Sequence, residues 1–186
     1  MTPMLGIMAS GATGSKQSSF ESIATATGTG SSGTITFSSI PSGYVALQIR
    51  GAFRKQDGFF SALKINFNSD TGSNYTEHVL IGDGSSASAA SNTGRNHARI
   101  DNTVLGTSYT SMVGVAIIDI VDYASTTKYK TLRAFNGADV NGSGNARLTS
   151  SLWLNTNAIT SITLNTEDGQ NWLTSTSVAL YGIKGA

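Results

Sequence analysis

The residues able to do chemistry are few and scattered. Only two histidines occur, His78 and His97, and they do not form the H-x-x-x-H pair that would turn two imidazoles toward one metal. His78 alternates with Val79 on an apolar run and reads as a surface or interface histidine. His97 lies between Arg95 and Arg99 in a loop-like stretch and reads as solvated. The many serines include no G-x-S-x-G elbow, so no nucleophile is marked. GATGSK, from Gly11 to Lys16, approaches a phosphate loop, but Ser15 separates Lys16 from the last glycine and no strand precedes it. In NFNSDTGSNYTE, Asn66, Asn68, Asp70 and Glu77 occupy the first, third, fifth and twelfth places of a calcium loop. Asn stands first and Gly72 falls one place late, so the segment reads as a hairpin loop. Asp119 and Asp122 are three apart on a strand, and odd spacings put side chains on opposite faces. Asp119 is therefore expected to pair with a cation from a neighbouring strand or subunit, which makes Asp119, Lys128, Lys130 and Arg133 candidate subunit-interface residues. Among the aromatics, Tyr109 and Trp172 are the candidate glycan contacts, because each could stack on a sugar and Trp172 follows a turn. These patterns predict a non-catalytic chain with no metal and no cofactor.

The elements that would position such residues are strands. From Phe20 onward, short β-rich runs alternate with Gly, Asn, Asp and Ser clusters at the spacing of a sandwich or barrel. Eleven strands are expected: 20–27, 33–37, 44–54, 60–68, 75–81, 98–105, 112–123, 129–136, 146–154, 159–165 and 177–183. In GYVALQIRG the alternation assigns Val45, Leu47 and Ile49 to the core, and Ile65, Phe67, Ile162 and Leu164 follow the same rule. The run from Val113 to Val121 is apolar on both faces. A strand of that kind needs cover on its second face, and a subunit contact could supply it. Asp57-Gly58, Asp83-Gly84, Asn136-Gly137, Asn141-Gly142 and Asp168-Gly169 are expected to be turns, since these pairs accept positive φ.

Charged residues make up only 12% of the chain, against about 25% in an average domain, and 12 basic against 11 acidic residues leave a net charge of +1. Such a chain has no long-range field for nucleic acid or an anionic membrane, and neither is expected as a partner. Cysteine is absent, which removes disulfides and thiol chemistry. No run approaches the length of a membrane-spanning helix, and the N-terminal apolar patch is too short for a signal peptide. Residues 1–19 read as a flexible arm and residues 20–186 as one domain. Within the arm, Met4, Leu5, Ile7 and Met8 precede a Gly/Ser/Thr linker and are the candidate partner-binding residues.

Several strings carry a likeness: FESIAT from Phe20, TFSSIPSGYVALQIRG from Thr36, INFNSDTGSNY from Ile65, IIDIVDYA from Ile117, KYKT from Lys128, AITSITL from Ala158 and VALYGIK from Val178. Together they resemble the small structural proteins of tailed bacteriophages, especially cyanophages, and modules at the tips of phage tail fibres. The resemblance implies an all-β, antiparallel, jelly-roll-like sandwich with a short extended arm, assembled as a homotrimer. It implies a place in the virion, on the capsid surface as a cement or decoration protein bound to the major capsid protein. The alternative it implies is a tail module recognising host-surface glycan.

Overall fold

The computed structural model describes residues 19–185. The arm residues Met4, Leu5, Ile7 and Met8 lie outside the described residues. Every regular element in that range is a strand: β1 (Phe20–Thr27), β2 (Thr34–Phe37), β3 (Ala46–Phe53), β4 (Phe60–Phe67), β5 (Tyr75–Gly82), β6 (Ala87–Arg95), β7 (Ala98–Leu105), β8 (Gly114–Val121), β9 (Lys130–Asp139), β10 (Gly144–Trp153), β11 (Ile162–Thr166) and β12 (Ser177–Ile183).

The strands form two antiparallel sheets, one of eight strands in the order β1-β12-β3-β8-β9-β10-β5-β6 and one of four in the order β2-β11-β4-β7. The protein is thus an antiparallel β-sandwich, larger and less even than the eight strands of a simple jelly roll. Alternation puts Leu47, Ile49, Ile118, Ile120, Leu132 and Leu180 on the inner face of the large sheet. Ile35, Phe37, Leu63, Ile65, Phe67, Ile100, Ile162 and Leu164 meet them from the small sheet. Each such side chain, taken fully out of water, favours the fold by about 1.5–3 kcal/mol. Because the second sheet has half the strands, the inner face thins out toward β5 and β6, where Val79 and Ile81 are only half-buried.

Eleven of the twelve strands coincide with expected ones to within a few residues. The twelfth, β6, reads ASAASNTGR and is exposed almost throughout. It has no apolar face to alternate, and only its antiparallel pairing with β5 makes it a strand. Two local readings are corrected. Asn136-Gly137 is no turn: it lies inside β9, Gly137 has no positive φ, and a Cβ there would meet the Asn145 carbonyl of β10 at 2.3 Å. The turn falls at Asn141-Gly142, where φ is 58° and 101°. Val45 is not a core residue either. It precedes β3 and is exposed, whereas Leu47 and Ile49 are fully buried.

Candidate association surface

The chemistry-bearing residues are occupied within the fold. Asp70 receives Trp153 Nε1 at 2.8 Å, Asn74 Nδ2 at 2.9 Å and the Gly72 amide at 2.8 Å. Burial raises its pKa, but these donors outweigh that and hold the carboxyl below the ordinary value. Asn66 donates to the Asp70 and Asn96 carbonyls, and Asn68 bridges to Ala158, Thr160 and Ser161. Glu77 lies on β5 against Arg95, 3.1 Å away, and Asn92. The calcium-like segment is therefore a loop closed by its own side chains, tied to the core through Trp153 and Tyr75. Burial pushes the Tyr75 phenol up to about 12, and its oxygen accepts from the Phe67 amide at 3.1 Å.

His97 is buried, not solvated, because the chain crosses there from the large sheet (β6) to the small one (β7). Its Nδ1 lies 2.6 Å from Asn96 Oδ1 and must donate to that carbonyl oxygen. Nε2 is enclosed, 3.7 Å from Glu167. Burial first, and the Lys64 charge second, hold its pKa down at about 4. Beside it, Arg99 reaches Asp101 and Glu167, both at 2.8 Å, and Arg147 reaches Asp101 at 2.8 Å. This cluster ties the two sheets together with its carboxylates held by guanidinium groups.

Of the candidate interface residues, Lys130 is corrected outright. It points into the core, fully buried, with its ammonium on the carbonyls of Lys128 (2.6 Å), Thr156 (2.9 Å) and Asn155 (3.5 Å). Lys128 is exposed in the loop after β8 and pairs with Asp122 at 3.2 Å. Asp119 and Arg133 do share the outer face, directly opposite each other on β8 and β9, and Asp119 also accepts from Gln48 at 2.6 Å. Trp172 is no glycan contact. Its backbone is fixed between Gly30 and Ser32, and the indole packs in the core 5.9 Å from Phe53. Tyr109 is half-buried between Phe60 (4.9 Å) and the exposed Phe59 (5.8 Å).

What remains unoccupied is a surface. On the outer face of the large sheet the registers place Ile117, Phe135, Leu148 and Leu80 side by side on β8, β9, β10 and β5. Their exposures are 44%, 62%, 53% and 55%, and Val115 adds 53% next to Ile117. Two residues further along each strand, about 6.7 Å away, runs a second row of Val115, Gly137, Ala146 and Gly82. The first row stands proud; in the second, Gly137, Ala146 and Gly82 form a trough beside the exposed Val115. Two shallow hollows of about 670 and 370 Å³ share Val115, Gly137 and Ala146 as lining. The largest apolar patch on a monomer is about 300–600 Å² and is often functional; these five side chains together expose on the order of 500 Å², within that range. Sequence reasoning found the β8 part, because Val115 and Ile117 break the outward polar alternation. It missed Phe135, Leu148 and Leu80, which are isolated apolar residues until the register aligns them. Comparison with known proteins finds no matching family model, no matching curated protein and no matching solved structure.

Proposed function

We propose that this chain is a non-catalytic structural protein of a tailed-phage particle, a capsid cement that binds major capsid subunits and adds buried area to the shell. The observation that carries the assembly part is the bare apolar row on the outer face of the large sheet, aligned across four strands and of the size that functional patches reach. The internal pairing of Asp70, Glu77, Asp101, Glu167 and Lys130 favours a scaffold over a reaction site. The resemblance of its strand-and-turn strings to phage structural proteins suggests the particle. Phe135→Asp places a charge in the middle of the row without touching the core. Particles assembled with it should carry much less of the protein than wild type, measured by quantitative mass spectrometry against the major capsid protein. Unchanged incorporation would remove the row from the assembly contact. The exposed Phe59 stacked edge-on to Tyr109 favours a second reading, a tail module that meets glycan at that edge. A glycan array, with low copy number per particle, would select it.

A further inference from the structure

Strand β9 carries, on its outward side, Arg133, Phe135, Gly137 and Asp139 in succession. That is a cation, a knob, a hollow and an anion at equal spacing. A line drawn across the sheet between Phe135 and Gly137 divides the pattern into two complementary halves. The neighbouring strands repeat it: Leu148 and Ala146 on β10, and Leu80 and Gly82 on β5, lie on the same two sides of that line. Rotation by 180° about this line, lying in the plane of contact, stacks a second copy face to face. It sets Phe135 over the partner copy's glycine at 137, Leu148 over its alanine at 146 and Leu80 over its glycine at 82. The same rotation brings each Arg133 against the other copy's aspartate at 139.

We infer that the outer face of the large sheet pairs with a second copy of this chain in a two-fold, self-complementary contact. An isologous contact requires that residue i meet j while j meets i, and an ordinary apolar patch does not do this. Here the shape on β9, β10 and β5 and the charge on β9 satisfy it about one and the same axis, while on β8 Ile117 and Val115 meet as an apolar pair at the border of the contact. Arg133 and Asp139 are both exposed; Asp139 accepts the Asn141 amide with one carboxylate oxygen at 2.9 Å, which leaves its other oxygen to meet a partner. The area suits the occupant. On the order of 500 Å² of apolar side chain, with the trough and the charged rim, approaches the ~800 Å² per partner of a standard interface.

The inference rests on the assembly reading and names its partner. It differs from the threefold arrangement that the phage resemblance implies, and sedimentation distinguishes the two. The wild-type chain should sediment as a dimer at micromolar concentration. Arg133→Asp and Asp139→Arg should each weaken pairing at least tenfold, because each homodimer then sets like charges together. An equimolar mixture of the two variants should dimerise again, since both contacts in the mixed pair are then between opposite charges. Ala146→Phe makes the face more apolar yet fills the trough, and should also weaken pairing at least tenfold. A wild-type monomer or trimer, no rescue in the mixture, or tighter association of Ala146→Phe would overturn the two-fold pairing. If pairing fails while Phe135→Asp still blocks incorporation into particles, the assembly reading stands with a capsid subunit on the row. If incorporation is also unchanged, both fall.

Discussion

Replacing Lys130 by methionine tests whether this residue belongs to the core or to an interface. The substitution keeps the length of the stem and removes the ammonium. Two carbonyls, of Lys128 and Thr156, lie at full hydrogen-bond distance, and that of Asn155 at 3.5 Å is at its limit. A hydrogen bond to a charged group contributes about 1.5–3 kcal/mol, and stranding a buried acceptor costs about 1–3 kcal/mol. Against this stands the relief of desolvation. Burial lowers the Lys130 pKa, with Asp122 opposing, so the ammonium is held at some cost. With two acceptors stranded and that cost returned, the net loss is about 2–4 kcal/mol. For a domain of this size each kcal/mol lowers Tm by about 2–4 °C, giving a drop on the order of 5–15 °C. Lys128→Met is the control: its pair with Asp122 is exposed and contributes about 0–1 kcal/mol. Urea unfolding of both variants, followed by tryptophan fluorescence, reads the difference. Equal midpoints for the two would show that the carbonyl cage does not hold the ammonium. A loss confined to association, with unfolding unchanged, would return Lys130 to the interface.

Two further outcomes follow from the buried polar groups. His97 is neutral in the fold with a pKa near 4 against 6.5 when unfolded, so the unfolded chain binds more protons between those values. Its contribution is complete above pH 6.5 and is lost as pH falls toward 4. The loss is on the order of 3 kcal/mol, and His97→Gln should flatten the stability profile in that window. A profile of unchanged slope in the variant would place the proton uptake elsewhere. Asp70→Ala strands the Trp153 indole N–H, the Asn74 amide and the Gly72 amide, and should cost about 2–4 kcal/mol in denaturant unfolding. Because the folded carboxyl is held below its usual value, the wild-type advantage over this variant should shrink only as pH falls below about 4. An advantage that does not shrink at all between pH 4 and pH 2 would mean the carboxylate charge is not what closes the loop.

The sandwich was legible because its core residues alternate. Leu47 with Ile49, Ile65 with Phe67, and Ile162 with Leu164 are each buried as the period of two demands. What escaped reading depended on distance through space. Trp172 follows a turn, which suggests exposure, but the hydrogen bonds of its backbone to Gly30 and Ser32 turn the indole inward. Lys130 sits on an inward position of β9, and a lysine there is readable only once the carbonyls after β10 are known to converge on it. His97 looked solvated between two arginines; the crossing from one sheet to the other buries it. Strand β6 was invisible because Ala, Ser and Asn carry no alternation when both faces are wet.

That same strand bears on how the protein can associate. A sheet offers a partner either its edge or its face. The β6 edge is nine residues of small and polar side chains, exposed along almost its whole length, and an edge of that kind gives a neighbour backbone hydrogen bonds but almost no apolar area. Edge pairing is also open-ended, since each added copy presents a fresh edge unless symmetry closes it. The large apolar side chains collect instead on β8, β9, β10 and β5, where both backbone ladders are already satisfied within the chain. A contact made there uses side chains alone and is finished once the face is covered. A chain with so few charges has little electrostatic protection against adventitious sticking. Collecting its aligned apolar residues on one self-complementary face lets it associate at that place and stop.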